Sequence, residues 1–116
     1  MPLPRAARAC GRLLPVLLDA PEQEWSVERM AALVHMSRAK FFRLFTQACG
    51  EPPAQFLQRL RMQLAAQHLH RGESPGRAAE RVGYQSQAAF NRAFNRVLGQ
   101  GPSAYRRSHA GRASAH

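Results

Sequence analysis

The chain has 116 residues, and seventeen Lys and Arg against seven Asp and Glu leave a formal net charge of +10 and a pI near 11.5. That length holds one small domain, or two very small ones sharing a core, and excludes two domains of ordinary size. An apolar fraction of 45% excludes a disordered polycation.

No alternating strand pattern of any length occurs, and the punctuation predicts an all-α fold. Leu13 to Leu18 is an apolar run broken by Pro15, preceded by Arg5, Arg8 and Arg12. It is too short for an export signal, and nothing approaches the ~20 apolar residues of a membrane span, so it reads as a short packing helix. Residues 1–24 thus form an arm with this helix. Trp25 precedes Ser26, an N-cap for a helix Val27 to Val34 with Met30, Ala31 and Val34 on one face. Ser37 caps a second helix in which Phe41, Leu44, Phe45 and Ala48 form the apolar stripe, and Gly50 stops it. Pro52 and Pro53 restart the chain into a long helix, Ala54 to His70, whose apolar face is Phe56, Leu57, Leu60, Leu64 and Leu69. Ser74 and Pro75 open the next short helix, Gly76 to Val82. Ser86 caps a helix with Phe90, Ala93, Phe94 and Val97 buried, Gly99 stops it, and Pro102 starts a last helix to Arg107. Residues 108–116 read as a disordered tail.

Sliding the chain on itself exposes a repeat. At an offset of 48, Ala31 pairs with Ala79 and Val34 with Val82; at 49, Ser37 pairs with Ser86, Ala39 with Ala88, Phe41 with Phe90 and Arg43 with Arg92. The same offset pairs Phe45 with Phe94, Gly50 with Gly99, Pro53 with Pro102 and Phe56 with Tyr105. One unit of short helix, tight turn, capped helix, Gly stop and Pro restart therefore occurs twice. It reads as a helix-turn-helix of the DNA-binding kind, in residues 25–53 and again in 74–107, joined by a linker helix over 54–71. Paired short helices with Phe stripes are also ordinary core architecture; the matching chemistry of the two outer faces separates the readings.

Those faces carry Arg38, Ala39, Lys40, Phe42, Arg43 and Gln47 in the first unit, and Gln87, Ala88, Asn91, Arg92, Asn95 and Arg96 in the second, with no acid on either. Arg and Lys donate to guanine O6 and N7, Asn and Gln pair with adenine N6 and N7, and small residues let a helix approach a groove closely. The N-terminal half of such a helix enters the groove, which makes Arg38, Ala39, Phe42, Arg43, Gln87, Ala88, Asn91 and Arg92 the base-reading candidates. Lys40, Gln47, Asn95, Arg96, Arg106 and the capped helix starts at Ser37 and Ser86 are the phosphate candidates. Phe42, off the buried stripe, either meets a thymine methyl or packs on a neighbouring element.

Charge distribution agrees with double-stranded DNA as the partner. Sixteen of the positive side chains are Arg and Lys40 alone is Lys, a balance suited to planar recognition of phosphate and guanine, although coding bias produces the same ratio. Residues 1–24 carry three Arg and three acids, whereas residues 81–116 carry six Arg and no acid. Cys10 and Cys49 have no CxxC spacing, and His68 and His70 fall on different helix faces, so no metal, cofactor or disulfide is expected and a cytoplasmic location is.

At these residues the chain resembles the AraC/XylS-type DNA-binding domain. The resemblance runs from Trp25 to Arg107, through Ser26-Val27-Glu28-Arg29-Met30-Ala31, Met36-Ser37-Arg38-Ala39-Lys40-Phe41-Phe42-Arg43, Val82-Gly83-Tyr84-Gln85-Ser86-Gln87 and Gly101-Pro102-Ser103-Ala104-Tyr105. It implies seven helices in two tri-helical, homeodomain-like units, insertion of both recognition helices into adjacent major grooves, and regulation of transcription, usually activation through RNA polymerase. A linker helix of about 25 Å against a groove repeat of about 34 Å implies bent DNA or unequal engagement. Three departures stand out: His35 where the family has Gly, Ala78 where it has a larger aliphatic, and Pro15 in what would be its first helix. Residues 1–24 are too short for the sensor domain many relatives carry, and no effector site is evident. The chain is therefore either a stand-alone member or the C-terminal DNA-binding piece of a longer regulator.

Three rival classes are weaker. A methyl-accepting repair enzyme of related architecture would need a zinc-holding cysteine cluster, which Cys10 and Cys49 do not form. A sequence-indifferent packaging protein would gain nothing from Asn and Gln on the outer faces. A module that occupies a protein partner such as RNA polymerase would be separated by an assay with polymerase and no DNA.

Overall fold

A computed structural model describes residues 5–114 as seven helices: α1 (Arg5–Asp19), α2 (Val27–Leu33), α3 (Arg38–Cys49), α4 (Pro53–His70), α5 (Pro75–Arg81), α6 (Gln87–Leu98) and α7 (Pro102–Ser114). The all-α class is as expected. Two compact units divide within α4, between Leu57 and Gln58. Residues 53–57 of the long helix fall in the first unit and the remainder in the second.

The first unit buries Leu13 and Leu17 of α1, Met30, Ala31 and Val34, Phe41 and Phe45 of α3, and Leu57. Here α1 corrects the sequence reading, because it is one continuous helix with Pro15 inside it. Proline removes one helical N–H, but Gly11 and Pro15 are both exposed, so the released Gly11 carbonyl faces water. Leu13 and Leu17, one turn apart, hold the helix down against α3. Trp25 ties the turn after α1: its Nε1 donates to the Ala20 carbonyl at 2.9 Å, and the Arg29 guanidinium lies 4.3 Å from the ring centroid. Ala48, expected on the α3 stripe, is exposed; Phe41 and Phe45 carry the burial.

The second unit packs Met62, Ala65, Ala66 and Leu69 of α4 against Ala78, Ala79 and Val82, and against Phe90, Ala93 and Phe94 of α6. The buried face of α4 follows 62, 65, 66, 69, while the expected Leu60 and Leu64 are only half-buried. Those four buried positions follow the i, i+3, i+4, i+7 spacing of one helix face. Ala78 is fully enclosed in the same cluster. The last helix also extends past the expected end at Arg107. Ser108 donates back to the Ala104 and Tyr105 carbonyls at 3.2 and 3.1 Å, and His109 stacks on Tyr105 with centroids 3.9 Å apart, which carries the helix through the start of the expected tail. Backbone helix continues to Ser114, and Ala115 and His116 lie outside the described residues.

The repeat recurs in geometry. Ser26 and Ser74 cap α2 and α5 through the Arg29 and Arg77 amides, and Ser37 and Ser86 cap α3 and α6 through Lys40 and Ala89. After α2 and α5, the amides of Met36 and Tyr84 return to the Ala31 and Ala79 carbonyls at 3.0 and 2.9 Å. Gly50 and Gly99 end α3 and α6 with φ of 76° and 81°. The aromatic packing matches too: Phe41–Phe45 and Phe90–Phe94 centroids lie 5.4 and 5.7 Å apart, and Phe45–Phe56 and Phe94–Tyr105 meet edge to face at 5.2 and 5.5 Å. Such pairs contribute about 0.5–1.5 kcal/mol beyond area burial. His35 has φ 58°, the left-handed conformation its counterpart Gly83 adopts at 84°.

Candidate nucleic-acid interface

Each unit presents the outer face of its capped helix. On α3, Arg38, Ala39, Phe42, Arg43 and Gln47 are exposed and Lys40 is half-buried. On α6, Gln87, Ala88, Asn91, Arg92, Asn95 and Arg96 are all exposed. The sequence-predicted residues of each face therefore come together, with the apolar stripe buried behind them. Phe42, off the buried stripe, remains 44% exposed.

Helix starts shape both faces. The Ser37 and Ser86 hydroxyls are engaged as caps, accepting from the Lys40 and Ala89 amides at 3.2 Å each. The first turn of a helix leaves further amides without an intrahelical partner, and its dipole favours an anion there.

Four contacts lay beyond the sequence reading. Arg38 Nε lies 2.8 Å from Glu28 Oε1, so an acid from α2 reaches the edge of a face that carries none of its own. Arg96 donates to Gln58 Oε1 at 3.3 Å. Arg106 donates from Nε and Nη2 to the Gly72 carbonyl, at 3.3 and 2.8 Å, and thereby pins α7 to the turn that ends α4. Gln87 Nε2 donates to Asn91 Oδ1 at 3.0 Å. Helical spacing signals the last of these; the other three join segments whose approach only packing determines. By contrast, among the described residues neither the Arg43 nor the Arg92 side chain has a hydrogen-bond or ion-pair partner. Beside Arg92, a shallow depression of about 450 Å³ is lined by Asn91, Arg92, Asn95 and residues 101–104.

Other chemistry-bearing residues sit apart from these faces. Glu73 lies 2.7 Å from Arg81 Nε and 3.4 Å from His68 Nδ1. The hydrogen bond from Arg81 holds the Glu73 carboxyl below the ordinary carboxylate value, and burial pushes His68 below that of a solvated histidine despite the nearby Glu73. His70 turns elsewhere, its ring edge-on to His109 at 6.1 Å. Cys49 is half-buried, and the Cys10 side chain lies outside the described residues. Among the described residues no helix is long and apolar enough to cross a membrane.

Comparison with known proteins adds a consistent picture. A family described as a helix-turn-helix domain matches residues 30–108. The RCS-specific HTH-type transcriptional activator RclR of Escherichia coli K12 is 41% identical over 97 residues, 83% of this chain and 34% of that protein. The fold of this chain is similar to that of the DNA-binding domain of the global transcriptional factor AdpA, solved in complex with a target DNA, with a TM-score of 0.82, 31% identity, and coverage of 95% of this chain and 96% of that one. An AraC-type transcriptional regulator from Chromobacterium violaceum shares the fold with a TM-score of 0.83 at 23% identity, over 90% of this chain and 95% of that one. The chain spans about a third of the length of the curated relatives it matches.

Proposed function

The chain belongs to the AraC/XylS-type family of helix-turn-helix transcription regulators, and from that premise we propose that it binds double-stranded DNA sequence-specifically and regulates transcription as an activator. Each recognition helix, α3 and α6, enters a major groove, giving a two-part site. The observation that carries this is the equivalence of Arg43 and Arg92: both exposed, both at the same register of a repeated unit, both untied to any other side chain among the described residues. An unpaired guanidinium is poised for bidentate contact with guanine O6 and N7.

In this reading Arg38, Ala39, Phe42 and Arg43 of the first unit, and Gln87, Ala88, Asn91 and Arg92 of the second, face base edges. Lys40, Gln47, Asn95, Arg96 and the helix starts after Ser37 and Ser86 position the helices on phosphates. Arg106 is bonded within the fold, and its part is to hold α7 in place, with phosphate contact secondary. RNA polymerase is the protein partner, the site of action is the cytoplasmic nucleoid, and no catalysis is involved. A second reading is favoured by the coverage of its relatives: the chain is the DNA-binding portion of a longer, effector-sensing regulator. DNA recognition is the same in both.

Selection of bound sequences from a random duplex pool at about 150 mM salt tests the proposal, because phosphate contacts alone weaken there. A motif in two parts is expected. Binding without enrichment, fading smoothly with salt, would replace this reading by sequence-indifferent packaging.

A further inference from the structure

We infer that Gln87 and Asn91 form a single reading element for one adenine in the half-site of α6, an assignment that rests on the base-reading role proposed for that helix. The two amides lie one helical turn apart, both exposed, and Gln87 Nε2 donates to Asn91 Oδ1 at 3.0 Å. That bond leaves the Gln87 carbonyl oxygen and the Asn91 amino group as the paired groups not used within the couple. Rotating both amides by half a turn reverses which residue donates, yet the couple still offers one acceptor beside one donor.

Among the purines only adenine matches that pattern, with an N6 amino donor next to the N7 acceptor. Guanine presents two acceptors, N7 and O6, and would set one of them against the amide oxygen. The internal bond also removes rotamer freedom before DNA arrives, so less ordering remains at binding. Ala88, exposed on the same face, lets the backbone come close to the groove.

The repeat makes this a property of the second unit alone. The residues at the matching register of the first unit are Arg38 and Phe42, which cannot form such a couple, and Arg38 is tied instead to Glu28. Gly76 stands in the second unit where Glu28 stands in the first. With no side chain at 76, nothing from α5 competes for Gln87; even a Cβ there would lie 4.0 Å from Gln87 Oε1. The two half-sites are thus unlike, and adenine discrimination belongs to that of α6.

The test uses the full chain and the duplex recovered from the random pool, with the α6 half-site identified as the part whose preference Arg92→Ala relaxes. Each adenine in that half-site is replaced in turn by guanine, or by 7-deaza-adenine, which lacks the N7 acceptor. One adenine is expected at which either replacement weakens binding about tenfold or more. Gln87→Ala, Asn91→Ala and the double variant should each lose about the same factor, keep an unchanged melting curve, and become indifferent to those replacements. Losses that multiply in the double variant would overturn the joint reading. So would a selected half-site in which no adenine responds to Gln87 and Asn91. Either result leaves sequence-specific binding intact, whereas failure to enrich any sequence overturns the underlying proposal as well.

Discussion

Glu28 and Arg38 face each other at 2.8 Å across the first helix-turn-helix, and the repeat replaces them by Gly76 and Gln87 in the second. Both partners are 65% exposed, so the pair contributes little to folding, on the order of 0–1 kcal/mol. Its consequence is electrostatic: the carboxylate competes with the base edge for the guanidinium. Glu28→Gln should tighten binding to the selected duplex more than to random duplexes, by up to about 1 kcal/mol. Dissociation constants on both kinds of DNA measure this. Equal gains on both would place Arg38 at phosphate rather than at a base.

Arg43 and Arg92 should behave as a matched pair. Arg43→Ala and Arg92→Ala are each expected to lose about 1–3 kcal/mol on the selected duplex and to relax base preference in one half-site, with little change on random DNA. Equal losses on both kinds of DNA would remove the base-reading role.

Arg106→Ala differs in kind, because that guanidinium clamps the Gly72 carbonyl. It should lower unfolding stability by about 0.5–1.5 kcal/mol in urea and weaken all sequences alike. Unchanged stability would show that the clamp is dispensable in solution.

His35 occupies a left-handed conformation that costs an L-residue about 1–2 kcal/mol, partly offset by the extra freedom glycine has when unfolded. His35→Gly is therefore expected to stabilise the first unit by up to about 1 kcal/mol, and Gly83→Ala to destabilise the second by about 1–2 kcal/mol. Urea midpoints provide the check. A loss at His35→Gly would reveal a side-chain contribution larger than the strain.

Acid should weaken the second unit in two stages. Burial lowers the His68 pKa below its ordinary 6.5, so the unfolded chain takes up that proton first and stability falls as pH drops through 6.5. Glu73, lowered from 4.5 by the Arg81 hydrogen bond, contributes stability above that value and loses it at lower pH. In urea denaturation at stepped pH, His68→Gln should flatten the upper stage alone and Glu73→Gln the lower. Parallel curves for wild type and His68→Gln would exclude His68 as a source of the slope.

Local chemistry alone determined a great deal here. Serine caps, glycine stops, proline restarts and apolar spacing are short-range effects, and they defined the helices, the duplication and the outer faces of α3 and α6. Where the sequence reading failed, the reason was contact between distant segments. Pro15 reads as a break, yet Leu13 and Leu17 bury against the unit and hold α1 continuous around it. Leu60 and Leu64 outrank alanine in hydropathy, yet the face of α4 that the core covers runs through 62, 65, 66 and 69, which puts Ala65 and Ala66 inside. Arg107 looked like an end until His109 found Tyr105. The charge state of the faces shows the same division. Composition made them basic, but only the tertiary fold decided which arginines are occupied: Arg38 by Glu28, Arg96 by Gln58 and Arg106 by Gly72, while Arg43 and Arg92 face outward. A side chain's type is written in the sequence; its partner depends on which segments packing brings within hydrogen-bond reach.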